Sequence, residues 1–240
     1  MDYLKKGDYA YIVEDSGKVK ILRYYGYEKI VKLADTIDGM PVGAIGELLC
    51  AGKEMEKIIV PDSVEYIEKN AFSACDELVS VELPSGLKEL GPGVFKASPK
   101  IKEVTIDNNE RYKNVDGIIY DVINRALVFC PPMLDRKQIM VEPGTVTIAD
   151  SAFYQNEIVE NIMLPMSITT IEDGAFLFTN SLPILELPHN VQKIEGNAFL
   201  LMPGSPFEKK FKLYAFRNSY AYKYAVDKGI DVSELLGYTW

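Results

Sequence analysis

A repeat of 23 residues determines what this chain of 240 residues can fold into. An apolar residue followed by proline recurs at Val60-Pro61, Leu83-Pro84, Leu164-Pro165 and Leu187-Pro188, and Val141-Glu142 shares the same frame with glutamate in place of proline. A phenylalanine follows eleven residues after each of these positions, at Phe72, Phe95, Phe153, Phe176 and Phe199. A fixed period in the twenties indicates a solenoid, in which stacked coils bury a continuous core against their neighbours.

Each coil contains a short strand that ends at the proline position, which we number 0. Positions −3 and −1 are apolar and alternate with outward positions −4 and −2, as in Val81 and Leu83. Strict alternation of this kind predicts a strand with one buried face. Positions +3, +6 and +11 supply the other apolar residues. The sequence therefore predicts a right-handed, β-rich solenoid with a parallel sheet on one face and a core formed by these positions.

The two ends and one interior segment depart from the repeat. Residues 8–24 alternate around Asp15-Ser16-Gly17, which predicts an N-terminal hairpin that caps the first coil. Residues 219–229 predict a short helix with Ser219 as N-cap and Gly229 as the stop. The coil after Asp107 is twelve residues too long and contains two apolar runs around Val122-Ile123-Asn124-Arg125, which predicts an inserted hairpin. We predict one domain, 1–240, composed of an N-terminal cap (1–27), coils (28–106), an irregular coil with the hairpin (107–141), further coils (142–206) and a C-terminal cap (207–240).

Composition and motifs exclude several classes of function. The net charge is −9 and the basic residues are scattered, which argues against a nucleic-acid partner. No apolar run reaches the length of a membrane span, and no apolar run follows Met1, so we expect neither membrane insertion nor a signal peptide. The single histidine, His189, falls in a turn, and the three cysteines lack metal-ligand spacing; Cys50 is expected to occupy the aromatic position. We predict no catalytic residue, no metal and no cofactor.

The outward positions of the strands define the candidate binding surface. Seven residues at positions −2 and −4 form it: Ile59, Met140, Met163, Ile184, Gln138, Asn161 and Glu186. Met140 and Met163 are predicted to be ladder neighbours with Ile184 on the next strand, and Gln138, Asn161 and Glu186 form a polar rim. Such a surface favours a protein partner. The alternatives are that a loop covers the apolar residues or that they are exposed singly without a role.

The repeat units resemble a known family. EKIIVPDSVEYIEKNAFSACDEL (56–78) and NIMLPMSITTIEDGAFLFTNSL (161–182) are similar to the BspA-like leucine-rich repeat. ADTIDGMPVGAIG, NVDGIIYDVINRALVFCPP and SYAYKYAVDKGI resemble its opening coil, inserted hairpin and terminal helix. The resemblance implies a leucine-rich-repeat superhelix, common in bacteria of host-associated communities, that acts as a non-enzymatic protein-protein interaction module, with some members serving as adhesins.

The resemblance also implies a location at the cell surface or a secreted protein, with the cytoplasm as the alternative because the chain has no signal peptide. The identity of the partner and the oligomeric state are left open. Glycan binding is the alternative function. It would use exposed aromatic residues, and the chain has one tryptophan, Trp240, and tyrosines concentrated at both caps. These tyrosines are Tyr3, Tyr9, Tyr11, Tyr24, Tyr25, Tyr27, Tyr220, Tyr222 and Tyr224.

Overall fold

A computed structural model describes residues 3–200 and 211–235 of the chain. Its internal packing divides the chain into two compact units, residues 1–120 (unit 1) and 121–240 (unit 2). Each unit is a stack of coils built from short strands, most of them parallel, as the repeat predicts. That the whole chain forms one domain remains a prediction.

Unit 1 contains two sheets. Its strands are β1 (Leu4–Lys6), β2 (Tyr9–Val13), β3 (Val19–Tyr24), β4 (Ile30–Lys32), β5 (Thr36–Ile37), β6 (Met40–Ile45), β7 (Lys57–Ile59), β8 (Tyr66–Ile67), β9 (Ser80–Leu83), β10 (Glu89–Leu90), β11 (Glu103–Ile106) and β12 (Tyr112–Val115). The last of these, β12, belongs to neither of the two sheets. The order β4-β7-β9-β11 is the predicted parallel sheet, and Val81 on β9 lies opposite Val104 on β11, one repeat later. The order β1-β2-β3-β6-β8-β10 is a second sheet, in which β1 and β2 and β2 and β3 are antiparallel. The antiparallel pair β2 and β3 is the predicted N-terminal hairpin.

The second sheet extends the predicted architecture. Its repeating strands are two residues long, as in Tyr66–Ile67, which lies opposite Glu89–Leu90. A strand of two residues has one buried side chain, so its sequence shows no alternation of apolar and polar residues from which the strand could be predicted. Parallel ladders therefore run along two sides of each coil rather than one.

Unit 2 repeats this plan, and near its C-terminal end it contains a helix that is followed by a short strand. β13 (Ile118–Asp121) contributes its last residue to unit 2, and the other elements are β14 (Ala126–Phe129), β15 (Gln138–Met140), β16 (Thr147–Ile148), β17 (Asn161–Met163), β18 (Thr170–Ile171), β19 (Ile184–Glu186), β20 (Lys193–Ile194), β21 (Lys212–Ala215), α1 (Tyr220–Asp227) and β22 (Val232–Glu234). The Asp121 carboxylate accepts hydrogen bonds from the backbone of Ile123 and Asn124, which stabilises the turn predicted for the inserted hairpin. Ser219 caps α1 by accepting from Tyr222 N, and Gly229 has a φ of 68°, as predicted.

The phenylalanines at position +11 form the ladder expected from the repeat. The ring centroids of Phe153 and Phe176 are 5.2 Å apart and those of Phe176 and Phe199 are 5.4 Å apart, with nearly parallel planes. In unit 1 the rings of Phe72 and Phe95 are 5.8 Å apart. All five rings are buried. Each stacked pair adds about 0.5–1.5 kcal/mol beyond the burial of its area.

Burial at the other core positions confirms the frame, with two corrections. Val81, Leu83 and Leu187 are buried, as the frame requires. Leu164 is only half-buried, because the sheet of unit 2 is interrupted beside it. Cys50 is buried but does not occupy the aromatic position, because Leu49 N donates to Ala71 O and thereby takes the place opposite Phe72.

A buried polar position escaped the sequence analysis. Position +14 holds Cys75, Ser98, Asn156 and Thr179, all of which are buried. Ser98 Oγ donates to Phe72 O and Thr179 Oγ1 donates to Phe153 O, both at 2.8 Å. These side chains give buried backbone carbonyl groups of the preceding coil a hydrogen-bond donor. The recurrence of a small polar residue or cysteine three positions after four of the five phenylalanines is the signal that could have identified them.

Candidate functional site

The strands at positions −4 to −1 place the predicted apolar residues on the outward sheet face of unit 2. Met140 on β15 lies directly opposite Met163 on β17, as predicted. The two side chains are 67% and 44% exposed, and Ile184 on β19 is 44% exposed. Successive residues of a strand point to opposite faces of the sheet. These three side chains therefore lie on the outward face, and the buried side chains lie on the inward face, namely Ile139, Ile162 and Leu185.

The polar residues of the predicted rim occupy the same strands. Gln138 lies opposite Asn161, and both are exposed, as is Glu186 at the end of β19. Ile59 is the exception, because it lies on β7 of unit 1, where it is half-buried and opposite Glu82. The six residues of unit 2 therefore form the candidate site, which we call the unit 2 sheet face: Gln138, Met140, Asn161, Met163, Ile184 and Glu186.

The sheet is interrupted between β17 and β19. β15 pairs with β17 and β19 pairs with β21, but β17 and β19 are not hydrogen-bonded neighbours. In four preceding coils, the carbonyl at position −5 or its equivalent accepts two backbone N–H groups from the next coil. Lys137 O, for example, accepts from Glu160 N at 2.8 Å and Asn161 N at 3.0 Å. Within residues 3–200 and 211–235, no backbone N–H donates to Glu160 O in this way. We call this interruption the strand gap.

Pro183 explains the strand gap. It occupies position −5 of its coil, and proline has no N–H with which to donate to Glu160 O. The bond expected from Leu164 N to Glu186 O is also absent from the described part of the chain, although the equivalent Val141 N donates to Met163 O at 3.1 Å. The proline is visible in the sequence and could have predicted the interruption. The gap also accounts for the half-buried Leu164.

A cleft of about 630 Å³ lies at the strand gap. Its walls contain four residues of the unit 2 sheet face, namely Asn161, Met163, Ile184 and Glu186, together with Glu160, Ile162, Leu164 and Pro183. Sequence reasoning thus identified the exposed side chains but not the cleft between their strands. The lining is about evenly polar and apolar, and a concave surface that combines apolar side chains with polar groups is a form that binding sites commonly take.

The charges around the cleft are unevenly compensated. Glu160 Oε1 lies 2.6 Å from Lys137 Nζ, and this hydrogen bond raises the pKa of Lys137. Within the described residues, no lysine or arginine forms an ion pair with Glu186. Within the part of the chain that the structure describes, Glu186 thus contributes to the cleft a carboxylate without a basic partner, in a chain whose net charge is −9.

The cap tyrosines divide into structural and exposed residues. Tyr11 is buried and its hydroxyl donates to Asp38 Oδ2 at 2.6 Å, and the Tyr24 hydroxyl donates to Glu28, so both stabilise the N-terminal cap. Tyr3 and Tyr25 are exposed, and Lys5 Nζ lies 5.7 Å and 5.2 Å from their ring centroids. Trp240 lies outside the described residues, so its position in the glycan hypothesis stays untested.

The described residues contain few groups suited to catalysis or metal binding. The His189 ring packs edge-on against Phe216, with centroids 5.6 Å apart. Over residues 3–200 and 211–235, no three side chains of His, Cys, Asp or Glu are close enough together to hold a metal ion. Over the same residues, no helix has the length and hydropathy needed to cross a membrane. The predictions that the protein has no catalytic residue, metal or cofactor remain predictions.

Comparisons with known proteins agree with this repeat structure. A leucine-rich cell surface protein from Faecalibacterium prausnitzii A2-165 superimposes with a TM-score of 0.50 at 14% identity, over 100% of this chain and 96% of that one. A leucine-rich repeat protein from Bacteroides ovatus ATCC 8483 gives 0.53 at 17% identity, over 98% and 68%. Another from Eubacterium ventriosum ATCC 27560 gives 0.52 at 16% identity, over 88% and 71%. At these identities the likeness concerns the fold alone, a β-solenoid with coils of about 23 residues.

Sequence comparison identifies the family. No curated protein sequence matches this chain. The family model of the BspA type leucine-rich repeat region matches it in six copies, over residues 43–116 and 135–223. These residues make up more than half of the chain and include every strand of the unit 2 sheet face. The chain therefore belongs to the BspA-type leucine-rich repeat family.

Proposed function

We propose that this chain is a non-enzymatic protein-interaction module of a bacterial cell surface, and that it binds a partner protein through the unit 2 sheet face. The observation that carries the proposal is the row of exposed apolar side chains on neighbouring strands, Met140, Met163 and Ile184, next to the cleft at the strand gap. Membership of a repeat family supports a binding role, because stacked coils present extended surfaces. The surface location is supported by the structural likeness to the leucine-rich cell surface protein of F. prausnitzii.

The chemistry of the face suits a protein partner. Methionine is flexible and polarisable, and it is common on surfaces that adapt to a partner. Gln138, Asn161 and Glu186 are exposed beside the apolar row, and a polar rim around an apolar centre is the usual anatomy of an interface. Since apolar side chains lose contact with water on binding, this row supplies the energy and the rim supplies selectivity.

A double variant tests the proposal. An array of extracellular host and bacterial proteins is probed with the wild-type chain and with Met140→Glu/Met163→Glu. For each protein that the wild type binds, we expect the double variant to bind at least about tenfold more weakly or not at all, because two charges would be buried in the interface. Circular dichroism and thermal unfolding of both proteins verify that the fold is retained.

A matched control variant separates the face from general surface hydrophobicity. Ile123→Glu/Val226→Glu changes two exposed apolar residues of unit 2 that lie off the sheet face. We expect it to bind the array as the wild type does. Unchanged binding by the Met140/Met163 variant, or equal loss in both double variants, would refute the assignment to the sheet face.

Glycan binding is the second candidate, and one observation favours it. Tyr3 and Tyr25 border a cavity of about 510 Å³ that also contains Arg23 and Glu47, a combination of aromatic and hydrogen-bonding groups. The sheet face is better supported, because the Lys5 ammonium group already lies over both tyrosine rings. A glycan array discriminates between the two: reproducible glycan binding that Tyr25→Ala abolishes, and Met140→Glu/Met163→Glu does not, would favour the cap.

A further inference from the structure

We propose that the strand gap holds a basic side chain, preferably arginine, from an extended segment of the partner protein. The inference rests on the proposed function, because it names the feature by which the unit 2 sheet face selects its partner. Three independent properties of the cleft support it: backbone carbonyls that receive no backbone N–H from the described residues, a carboxylate that has no basic partner among them, and apolar side chains in its walls.

The acceptors follow from the missing backbone bonds. Glu160 O receives no backbone N–H within the described residues, whereas Val79 O accepts two, from Lys102 at 2.9 Å and Glu103 at 3.3 Å. A backbone carbonyl at the edge of a strand is a strong acceptor that a bound segment can use. A guanidinium group offers five donors in a fixed plane and no acceptor, so it can pair with a carbonyl and a carboxylate at once.

The charge of the cleft favours a cation over a neutral amide. Lys137 compensates Glu160, and Glu186 has no basic partner among the described residues. A cation that enters the cleft would pair with Glu186 without displacing Lys137. Because the chain carries a net charge of −9, long-range attraction would also speed the approach of a basic segment.

The walls accommodate the aliphatic part of such a side chain. Met163 and Ile184 are each 44% exposed and belong to opposite sides of the strand gap, with half-buried Leu164 also lining the cleft. The methylene groups of arginine pack on apolar surface while its head group remains with polar partners. An apolar neighbour on the partner segment would then lie on Met140, which is in the adjacent register position.

Titration with three short peptides tests the inference. The probes are blocked pentapeptides of sequence Gly-Leu-X-Leu-Gly in which X is arginine, glutamine or glutamate, added to isotope-labelled full chain and followed by two-dimensional NMR. We expect the arginine peptide to shift the amide signals of Asn161, Leu164 and Ile184 with a Kd of roughly 1 mM, and the glutamine peptide to bind at least about tenfold more weakly. Equal shifts with all three peptides, shifts at other residues, or no shift up to roughly 10 mM would overturn the inference.

Two variants test the origin of the binding. Glu186→Gln should weaken binding of the arginine peptide at least about tenfold, because it removes the charge of the carboxylate. The control Glu103→Gln, at an exposed position of β11 in unit 1, should leave binding unchanged.

Pro183→Ala restores an N–H at position 183. We expect this N–H to donate to Glu160 O, so that the amide of residue 183 is protected from hydrogen exchange and peptide binding is abolished. If Pro183→Ala binds the peptide as tightly as wild type, the strand gap is not the site.

These results are distinguishable from failure of the proposed function. If the peptides do not bind but Met140→Glu/Met163→Glu loses its array partners, the sheet face is an interface and the arginine site is wrong. If the arginine peptide binds at the gap and the double variant keeps every partner, the cleft is a binding site but the proposed apolar interface is wrong. Concentration-dependent broadening of the same signals without peptide would show a second copy in the cleft and would overturn the inference.

A separate observation in unit 1 carries a second inference. Cys50 and Cys75 lie on neighbouring coils with their Sγ atoms 3.0 Å apart, and both are buried. We infer that these two residues form a disulfide when the protein folds in an oxidising compartment. The two thiols would lose two protons and two electrons, and the electrons would reduce the disulfide of an oxidant such as oxidised glutathione to two thiols. The bond would add a covalent link between two coils that hydrogen bonds and ion pairs, such as Lys69 with Glu47, now join.

The surroundings of Cys50 and Cys75 determine at which stage of folding the two thiols can be oxidised. The hydrogen bond to Cys75 and burial both raise the pKa of Cys50, so little thiolate exists in the folded chain. Oxidation should therefore occur during folding rather than afterwards. Refolding in a glutathione redox buffer, followed by denaturation and alkylation, should leave one reactive thiol, Cys130, and should raise Tm by roughly 10 °C over the reduced protein. Three reactive thiols after refolding, a bond that includes Cys130, or a lower Tm of the oxidised form would overturn the inference; Cys130→Ala is the control that should still oxidise.

Discussion

Replacing the central ring of the phenylalanine ladder should be among the most destabilising single changes in unit 2. Phe176 is 1% exposed and stacks on both sides, against Phe153 at 5.2 Å and Phe199 at 5.4 Å. Phe176→Ala removes both stacked pairs and leaves a cavity that rigid neighbouring coils cannot fill. Buried Phe→Ala changes cost about 3–5 kcal/mol, and each stacked pair contributes about 0.5–1.5 kcal/mol, so we expect the upper part of that range.

Urea unfolding and calorimetry measure this change. For a chain of this length, each kcal/mol lowers Tm by about 2–4 °C, so Phe176→Ala should lower it by roughly 10–20 °C. Phe176→Leu, which keeps most of the volume, should lose about half as much. The control Met166→Ala changes a 56% exposed side chain of the same coil and should cost under about 0.5 kcal/mol. A loss for Phe176→Ala below about 1 kcal/mol, or equal to that of Met166→Ala, would refute the ladder as a source of stability.

Three further changes have defined outcomes. Gln155 has a φ of 54° and a buried amide oxygen without a partner, so Gln155→Gly should stabilise by about 0.5–1 kcal/mol and Gln155→Ala by less, as judged by urea midpoints; a loss in both variants would contradict this. Tyr11→Phe removes the hydroxyl that holds Asp38 and should cost about 1–2 kcal/mol, whereas Tyr66→Phe at an exposed site should cost almost nothing. Lys18, and then Lys88, lower the pKa of Glu65 below its usual 4.5, so its stabilisation is complete above that pH and is lost as pH falls through the lowered value. The stability difference between wild type and Glu65→Gln should therefore shrink from about pH 7 to about pH 3, and a constant difference would refute the contribution of the charge.

The regular spacing of apolar residues predicted most of the fold. The alternation at Val81 and Leu83, and the phenylalanine spaced eleven residues after each proline position, suffice to place the buried strand and the ladder, because a stacked coil can bury only residues that recur in register. Capping residues have equally local signals, which is why Ser219 and Gly229 delimit α1 as expected. The exposed Met140 and Met163 were predictable for the same reason.

Features that depend on the neighbouring coil were not predictable from local pattern. Four of the coils turn through left-handed backbone at position +13, where Ala74, Ala97, Gln155 and Phe178 have φ values of 54–61°. None of these residue types favours that conformation. It is held by bonds to the next coil, such as Phe178 N to Leu200 O at 2.9 Å. The two-residue strands of the second sheet have the same origin.

The sequence alone determined the coil, its buried positions and the residues that face outward, because these follow from side-chain hydrophobicity repeated at a constant interval. Only the tertiary structure decided how the outward residues are arranged. Ile59 proved to lie on a paired, half-buried strand of unit 1, and Leu164 proved to be partly exposed. The exposure of Leu164 comes from one missing N–H at Pro183, which opens the sheet between β17 and β19. A hydrogen bond between coils depends on both partners, so its loss appears only when the coils are stacked.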